Sequence, residues 1–411
     1  MEPYDSIVIG AGPAGLCCAI HTSVPGRRIL LLEKNSGPGS KLLLAGSGQC
    51  NFTHSGTVQE FLSHYGDRGK FLKHALFSCP NQALCAFFAA HGLGAETDEI
   101  GKIFPETRKS EDVLALLIKA CRKRGVDLHG DEPVTHVSRT NGGFEVTTPK
   151  ATYHSPVLVI TTGGASYPKT GSTGDGFRFA ASLGQPVTDI APALTPLRIL
   201  AFPFAALSGI SFDRMRFSVW RAGKKIADHR GDVLFTHLGV SGPGILDASR
   251  DIQPGDVVRL SFAGDLGSEE FSADLKKRVD ENKTWQIGTI LAAYPIPERL
   301  NRKLLALSGI PVDLKGSQFS AAQRSRLIGN CTGFPLTVLA PGDLSVAMAT
   351  RGGVALGQVN PKTMESKIIP HLYFGGEVLD IDGDTGGYNI QAAFSTGFLA
   401  ASSIRKRWEG R

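Results

Sequence analysis

The residues best placed to do chemistry are three glycines near the start of the chain. Gly10, Gly12 and Gly15 have the spacing G-x-G-x-x-G, after an apolar run at 7–9 and before a helix-like stretch at 13–21. The first glycine permits a tight turn, the second lets the backbone approach a pyrophosphate, and the third lets helix and strand pack closely. Free N–H groups at a helix start attract phosphate. The pattern therefore predicts dinucleotide binding.

The surrounding residues strengthen this interpretation. A second apolar run at 29–32 ends at Glu33, whose carboxylate can accept a hydrogen bond from a ribose hydroxyl. Pro13 suits the first position of a helix, where no N–H is needed. The alternative is a glycine-rich turn in an ordinary α/β domain, but the order strand, turn, helix, strand and acid favours a nucleotide site.

A second motif lies near the other end of the sequence, LYFGGEVLDIDGDTGGYNIQA at 372–392. It predicts a strand, an acidic and glycine-rich turn, and a helix. A flavin dinucleotide is too long for one βαβ unit, so a late segment of this kind would bind ribitol and face the flavin pyrimidine with a helix N-terminus. Glu377 is the predicted ribitol ligand, with Asp380 and Asp382 as alternates. The competing interpretation is an acidic turn that caps a helix.

A third motif is Thr-Thr-Gly-Gly at 161–164, which follows an apolar strand. Its glycines can lie close to a cofactor, because no side chain intervenes. The continuation GSTGDG resembles a phosphate loop but lacks the G-K-[ST] ending, which argues against a nucleoside triphosphate site.

Composition narrows the functional classes. The chain has 411 residues, 20% charged residues, a net charge of +6 and seven cysteines without a C-x-x-C pair. These values indicate a globular protein of a reducing compartment, with neither a disulfide framework nor a zinc site. We expect a cytoplasmic protein without a membrane span, because no apolar run reaches the roughly 18 residues required. The basic residues are scattered, so we expect no nucleic-acid partner.

The distribution of strand-like and helix-like segments predicts three parts. A nucleotide-binding domain would comprise 1–190 and 333–411. Short strands separated by Gly and Pro at 191–267 indicate a β-barrel-like insertion, and the polar, helical stretch 268–332 a small helical unit.

The chain resembles the BaiN/YhiN family of FAD-dependent oxidoreductases, also called aminoacetone-oxidase-like. The matching blocks are the opening fingerprint, KLLLAGSGQCN (41–51), GKIFPET (101–107), TGGASYPKTGSTGDG (162–176), LFTHLGVSGPGIL (234–246), ATRGGVAL (349–356) and NPKTMESKIIPHLYFGGEVLDIDGDTGGYNIQAAFSTG (360–397). The resemblance implies an α/β fold: a two-segment Rossmann-like FAD-binding domain of the glutathione-reductase type, with an inserted β-barrel-like unit and a small helical unit.

The first loop departs from the family pattern, which usually reads G-R-K-I-L-x-S-G-G-G-R-C-N. Ser40, Ser47 and Gln49 stand where the family has Arg, Gly and Arg. Two positive charges near the cofactor or substrate are therefore missing, which puts an anionic-substrate contact at these places in doubt.

The resemblance also implies a set of FAD-binding residues. Adenosine and diphosphate would contact Gly10, Gly12, Pro13, Ala14, Gly15, Glu33, Lys34 and the backbone of Val134. The remainder of the cofactor would contact Lys41, Gly48, Cys50, Asn51, Thr162, Gly163, Gly376, Glu377, Gly387, Asn389 and Ile390. Tyr388 and His237 are the candidate acid–base groups, with Tyr167 and Lys169 as further candidates, although each also fits a purely structural role.

The expected function is FAD-dependent oxidoreduction, in which hydride passes through the flavin between a small organic substrate or NAD(P)H and an acceptor. Since the chain has one strong fingerprint, NAD(P)H would dock transiently and not in a domain of its own. An amine oxidase of the aminoacetone type that uses oxygen, an RNA-associated flavoprotein and a flavin sensor without turnover are the alternatives. Substrate, nicotinamide preference and oligomeric state stay open.

Overall fold

The structure is a computed structural model that describes residues 3–410. The chain divides into two compact units. The first consists of the residues up to Ala193 together with those from Leu344 onward, and the second is Leu194–Asp343. The first unit therefore has two segments separated by 150 residues of continuous chain.

The helices in the described part of the chain are α1 (Pro13–Thr22), α2 (Val58–Ser63), α3 (Gly69–Ser78), α4 (Asn81–Ala90), α5 (Ser110–Lys123), α6 (Asp175–Ser182), α7 (Pro243–Ala248), α8 (Ser268–Glu281), α9 (Ile287–Leu291), α10 (Glu298–Leu307), α11 (Ala321–Thr332) and α12 (Tyr388–Glu409).

The strands of the same residues are β1 (Ser6–Ile9), β2 (Ile29–Leu32), β3 (Thr53–His54), β4 (Ala95–Thr97), β5 (Lys102–Pro105), β6 (Asp127–His129), β7 (His136–Thr140), β8 (Gly143–Thr147), β9 (Thr152–Ser155), β10 (Leu158–Ile160), β11 (Ala191–Ala193), β12 (Leu197–Ile199), β13 (Ser211–Arg221), β14 (Lys224–Phe235), β15 (Gly239–Ser241), β16 (Val257–Leu260), β17 (Phe334–Pro341), β18 (Ala349–Arg351) and β19 (Leu372–Phe374).

The first unit is built on a five-stranded parallel sheet in the order β19-β10-β1-β2-β6. Strands β1, β2 and β10 are buried along their whole length, as expected for short apolar strands covered on both faces. Strand β19 comes from the second segment and pairs with β10 through Leu158↔Leu372 to Ile160↔Phe374. This sheet confirms the predicted α/β fold with a Rossmann-like parallel core.

Helices α1 and α12 lie against each other with little space between their backbones. A Cβ on Gly397 of α12 would lie 2.3 Å from the carbonyl oxygen of Ala14. Helix α5 shows the expected amphipathic spacing, with Val113, Leu117 and Cys121 buried on one face. The N- and C-terminal segments therefore share one hydrophobic core.

Three small sheets complete this unit. Strands β7, β8 and β9 form an antiparallel sheet, and the turn between β7 and β8 contains Asn141 and Gly142. Strands β3, β5 and β4 form a second sheet, and β11 pairs with β18.

The second unit contains a closed barrel in the strand order β12-β15-β14-β13-β16-β17. Helices α8 to α11 share a single hydrophobic core with this barrel. The sequence predicts a barrel at 191–267 and a separate helical unit at 268–332, but the residues of both ranges pack into one core. The second unit extends to Asp343, whereas the sequence predicts that the helical unit ends at 332. Strand β17 pairs with β12 and β16 and closes the barrel, because its alternating side chains Phe334, Leu336 and Val338 point into the barrel core.

None of the helices within residues 3–410 is both long and apolar enough to cross a bilayer. The same residues contain no group of three or more His, Cys, Asp or Glu side chains that could hold a metal ion.

Gly15→Ala tests the packing of β1, α1 and β10. The new Cβ would lie 1.9 Å from the carbonyl oxygen of Gly10 and 2.7 Å from Thr161 Oγ1, so backbone must move. We expect the free energy of unfolding, measured in urea, to fall by about 3 kcal/mol. The matched control is Gly329→Ala in α11, where nothing lies within 4 Å. There the higher helix propensity of alanine should raise stability by about 0.5 to 1 kcal/mol. Equal stability of the two variants would contradict the described packing.

Candidate cofactor-binding site

The three sequence motifs meet at the carboxyl ends of neighbouring strands in the parallel sheet. Strands β1, β10 and β19 lie side by side and end with Ile9, Ile160 and Phe374. The turn after β1 touches the end of β10 so closely that a Cβ on Gly10 would lie 2.7 Å from the Thr161 carbonyl oxygen. Ligands of open α/β sheets bind outside the carboxyl ends of the strands. Residues that are far apart in sequence therefore surround one candidate site.

The fingerprint loop has the form of a phosphate site. Gly12 is the N-cap of α1, makes no side-chain cap, and has no heavy atom within 4 Å of where a Cβ would lie. Pro13 occupies the first turn, and the Ala14 side chain packs against Gly376, where a Cβ would come within 2.9 Å. The N–H groups of the first turn are therefore left for a ligand or water.

Glu33 lies behind this loop and is 8% exposed. Its Oε2 accepts from the N–H of Ala11 at 3.0 Å, and its Oε1 accepts from the N–H of Asn35 at 2.9 Å. Two backbone donors thus fix the carboxylate beside the fingerprint, and lone pairs remain on both oxygens for further donors.

Lys34 is already engaged with an acid. Its Nζ lies 2.7 Å from Asp175 Oδ2 and donates to Thr173 Oγ1 at 2.6 Å. Burial raises the pKa of Asp175, but the hydrogen bond and the charge of Lys34 outweigh it and the pKa lies below its ordinary value. The Lys34 ammonium group is therefore already paired, and the predicted contact with the diphosphate would compete with Asp175 and Thr173.

A partly buried ion pair forms the centre of the candidate site. Lys41 Nζ donates to both carboxylate oxygens of Glu377, at 3.0 and 2.8 Å, and to Ser166 Oγ at 2.6 Å. The Glu377 Oε1 also accepts from the Ser166 hydroxyl at 3.1 Å and from the Thr350 N–H at 2.7 Å. The Glu377 side chain is 19% exposed. Four separate parts of the chain are joined here.

The electrostatics of Glu377 follow from this arrangement. Burial alone raises the pKa of the Glu377 carboxyl, whereas the Lys41 charge and the donors Lys41, Thr350 and Ser166 lower it. The lowering effects win, so the pKa lies below its ordinary 4.5 and Glu377 is ionised at neutral pH.

The two alternate acids occupy other places. Asp380 Oδ1 accepts from Arg68 at 3.3 Å and from the Gly352 N–H at 3.2 Å, which holds the turn before α12. Asp382 is 3% exposed. Of these three acids, Glu377 is therefore the one joined to the loop 41–51 through Lys41.

The start of α12 is an uncapped helix terminus in a glycine turn. Gly387 has φ +97° and makes no side-chain cap. A Cβ there would lie 2.5 Å from the Thr53 carbonyl oxygen and 2.8 Å from Asn51 Oδ1. This Asn51 oxygen is buried and has no hydrogen-bond partner among the described residues. A buried acceptor without a partner at a helix N-terminus fits a bound polar ligand.

Neighbouring residues fix the geometry of this turn. Asn389 donates from Nδ2 to the Gly383 carbonyl at 2.9 Å and accepts from the Gly383 N–H at 2.8 Å. Ile390 is half-buried in the first turn of α12. The side chain of Asn389 therefore supports the turn, and only its backbone remains a candidate ligand group.

Tyr388 is 5% exposed and lies between two imidazole rings. Its ring stacks on His64 at a centroid distance of 3.9 Å and on His54 at 5.1 Å. His64 in turn lies 2.9 Å from Asp384 through Nδ1, and Tyr65 donates its hydroxyl to the Tyr388 carbonyl at 2.8 Å. The Tyr388 side chain is thus held rigidly at the start of α12.

The loop that departs from the family pattern carries unusual backbone. Ser47 and Cys50 have φ of +56° and +57°, a region that disfavours residues with a side chain. Burial raises the pKa of the Cys50 thiol to about 12, so it is not a reactive thiolate. Gln49 accepts a hydrogen bond from Arg108 Nη1 at 3.2 Å. A guanidinium group therefore lies beside the position at which the family usually has an arginine. Gly48 has φ +88° and open space around it.

The other residues predicted for the site lie in several different parts of the structure. Thr162 Oγ1 is buried without a hydrogen-bond partner among residues 3–410, and Gly163 has φ +74°. Val134 is half-buried just before β7. His237 is exposed in the turn between β14 and β15 of the second unit, whereas Tyr388 belongs to the first.

Tyr167 and Lys169 also belong to the first unit. Tyr167 has φ +52° and donates its N–H to the Leu344 carbonyl at 3.0 Å, and Lys169 is exposed in the following turn. Both therefore have local structural roles.

Sequence reasoning missed several partners. Ser166 and Thr350 lie inside the quoted blocks TGGASYPKTGSTGDG and ATRGGVAL, yet nothing in their residue type announces a contact with Glu377. His54 and His64 stand outside the interpreted motifs, and their contact with Tyr388 follows only from the packing of the first unit.

Lys41→Met tests the central ion pair. Removing the cation leaves a buried carboxylate, so the free energy of unfolding at pH 7 should fall by about 3 kcal/mol. Because the folded pKa of Glu377 is lowered, its contribution is present above pH 4.5 and is lost as pH falls through the folded value. The difference between wild type and Lys41→Met in urea unfolding should therefore shrink on acidification.

Two controls accompany this measurement. Glu377→Gln in the Lys41→Met background should restore part of the stability, since no charge remains unpaired. Arg302→Met breaks an exposed pair with Glu298, whose side chains are 71% and 77% exposed, and should cost under about 0.5 kcal/mol. A loss from Lys41→Met no larger than this would show that the pair does not support the site.

Comparison with known proteins extends these observations. The family described as HI0933-like protein Rossmann domain matches residues 4–403. The chain is 30% identical over 407 residues to "Ribosomal RNA dihydrouridine synthase" of Escherichia coli, covering 98% of both chains. It is 28% identical over 408 residues to "3-dehydro-bile acid delta(4,6)-reductase" of Clostridium scindens, covering 97% of this chain and 98% of the other.

Among solved structures, the chain is similar to FrdA of Escherichia coli quinol fumarate reductase, with a TM-score of 0.53 and 16% identity. This likeness covers 99% of this chain and 70% of the other, and it concerns the fold alone. With nearly the whole sequence matched, the chain belongs to the HI0933-like Rossmann family, the FAD-dependent oxidoreductases of the BaiN/YhiN type, whose cofactor is FAD.

Proposed function

We propose that the protein is an FAD-dependent reductase that saturates a carbon–carbon double bond conjugated to a carbonyl group, and that this bond lies in a uracil of RNA. The full-length match to a protein named ribosomal RNA dihydrouridine synthase carries this proposal. It departs from the sequence-based expectation of a small-molecule substrate without a nucleic-acid partner.

The residues of the first unit fit FAD. The uncapped starts of α1 and α12 offer backbone N–H groups, and Gly12 leaves space for a pyrophosphate. Asn51 Oδ1 and Thr162 Oγ1 are buried polar atoms that still need partners. Glu33 would accept from ribose, and the exposed part of the Glu377 carboxylate would accept from ribitol. When bound, FAD supplies two-electron hydride transfer.

The chain's own contribution is position and electrostatics. The N-terminal dipole of α12, at Gly387 and the N–H groups of Tyr388 to Ile390, would stabilise negative charge on a flavin held there. The Lys41–Glu377 pair fixes the loop 41–51 against the sheet edge. Tyr388 is the proposed acid that holds the proton for the substrate.

The two full-length relatives support one reaction class. Dihydrouridine is uridine with one ring double bond saturated, and the name of the second relative describes a reductase of a ketosteroid with double bonds conjugated to its ketone. In both reactions hydride adds to one carbon and a proton to its neighbour. Reduced nicotinamide, oxidised by two electrons for each bond saturated, is the proposed reductant.

Gly12→Ala tests the proposed cofactor site without a packing change. No atom lies within 4 Å of the new Cβ, and φ of −78° suits alanine, so the urea stability of the apoprotein should stay within about 0.5 kcal/mol. The methyl group would occupy the proposed pyrophosphate position. We expect FAD affinity, measured by fluorescence quenching, to fall at least about 100-fold, a loss near 2.7 kcal/mol. Unchanged FAD affinity would refute the placement of the diphosphate on α1.

The reaction is tested with purified holoprotein under anaerobic conditions. NADH and NADPH are each supplied with ribosomal RNA lacking dihydrouridine, with free uridine, and with a conjugated ketosteroid. Flavin bleaching by one nicotinamide, followed by a two-dalton mass increase of a uridine in the RNA, is the expected result. Reduction of the ketosteroid alone would replace the RNA substrate with a small enone. Reduction of flavin by aminoacetone and reoxidation by oxygen would instead establish an amine oxidase.

Tyr388→Phe tests the proposed proton donor, because the ring and its stacking on His54 and His64 remain. Turnover should fall by roughly 100-fold, the usual effect of losing a positioned acid, with unchanged melting temperature and FAD affinity. His237→Ala is the parallel test of the other candidate. Full turnover in Tyr388→Phe would remove this residue from the chemistry.

A further inference from the structure

The outer face of the barrel carries two arginines in direct cross-strand register. Arg216 of β13 and Arg230 of β14 are directly opposite each other in the antiparallel register, and both are exposed. Like charges in this position destabilise a sheet. Both side chains are held by exposed contacts, Arg216 and Arg230 with Asp265 and Arg230 Nε with the Arg214 carbonyl oxygen. These contacts leave positive charge on the face, which suits a partner with negative charge.

The nearby acids do not cancel this charge. Asp265 pairs with Arg230 at 2.5 Å, and its backbone carbonyl accepts from Arg216 at 3.1 Å, but the Asp265 side chain is 74% exposed. An exposed pair of this kind is screened and contributes little. Asp228 pairs with Lys225, and Asp213 lies near the start of β13.

The same face continues with a cation–aromatic pair. Arg259 of β16 is exposed and lies over the ring of Trp220 at 4.6 Å, one row further along the barrel. Arginine stacked beside an indole is the combination that contacts nucleic-acid backbone and bases at once.

A groove between α8 and α11 begins three residues after Asp265. It is lined by Ser268, Ser272, Ser325, Lys276 and Arg324, with Glu269 as its acid. Ala273, Ala321 and Ile328 complete the lining, and the hydroxyl, ammonium and guanidinium groups beside them can donate hydrogen bonds to phosphate oxygens.

The charge of the second unit agrees with this chemistry. Residues 194–343 contain 19 Lys and Arg against 15 Asp and Glu, a net +4 of the chain's +6. The excess therefore belongs mainly to the unit that carries the barrel face and the groove.

We propose that the barrel face Arg216, Arg230, Arg259 and Trp220, together with the α8–α11 groove, binds the sugar–phosphate backbone of substrate RNA. This proposal rests on the proposed reduction of a uracil in RNA and assigns that RNA a docking surface on the second unit.

The test uses the holoprotein and the double variant Arg216→Gln/Arg230→Gln. The matched control is Arg302→Gln/Lys303→Gln in α10, which removes the same charge from the same unit. Binding of a labelled single-stranded oligouridine and of ribosomal RNA is measured between roughly 50 and 200 mM salt. Melting temperature and FAD content are recorded for each variant.

We expect the barrel variant to lose about 10- to 100-fold in RNA affinity, and the slope of log K against log salt to become shallower by roughly 1 to 2. Its melting temperature should not fall, since a repulsive pair has been removed. The control should retain wild-type affinity. Equal losses in both variants would show general attraction to a basic unit and overturn the docking surface.

Failure of this inference can be separated from failure of the proposed function. If wild type reduces uridine in RNA while the barrel variant binds RNA as tightly, the docking surface is wrong and the reaction stands. If wild type does not bind RNA and reduces only a free enone, the proposed function fails and the surface fails with it. Loss of binding to polyglutamate, with no wild-type binding to RNA, would assign the face to an acidic protein.

Discussion

The candidate site depends on one close contact between main chains, where the turn after β1 meets the end of β10. Side chains at Gly10 or Gly15 would collide with the carbonyl oxygens of Thr161 and Gly10, so the two segments approach only because these residues are glycine. This approach sets the direction of α1, and α1 provides the surface on which Gly397 of α12 packs. The two uncapped helix starts at the site are therefore positioned by contacts in which backbone meets backbone.

A second constraint is electrostatic. Glu377 is mostly buried and ionised, and a charge in that position requires a counter-ion and hydrogen-bond donors. Lys41, Ser166 and the Thr350 N–H supply them. Because these residues come from four places in the sequence, the ion pair reports on whether both segments of the first unit are correctly assembled.

The sequence predicted the parts of the site that depend on local geometry. The fingerprint, Glu33 and the late helix start follow from fixed spacings of glycine and acid, and such spacings constrain a turn whatever surrounds it. The predicted α/β fold and the predicted FAD-dependent family were both confirmed. The roles of individual residues at the cofactor stay predictions.

What the sequence did not predict depends on contacts between distant segments. Ser166 and Thr350 contact Glu377 only because the fold brings distant segments together. The stacking of His64 on Tyr388 likewise depends on packing and not on a local sequence pattern. Strand β17 follows the boundary predicted at 333, but it pairs with β12 and β16 in the barrel. Which sheet a short strand joins is decided by its hydrogen-bond partners, and these are not encoded locally.

The two-segment construction has a consequence for the growing chain. Strand β10 is flanked by β1 and β19, but β19 leaves the ribosome only after the whole of Leu194–Asp343 has been made. Throughout that interval one edge of β10 presents unpaired N–H and C=O groups, the kind of edge that recruits strands from other chains. The barrel unit is continuous in sequence and can fold during the delay. Until β19 has been made, pairing of this β10 edge with strands of other chains competes with assembly of the first unit.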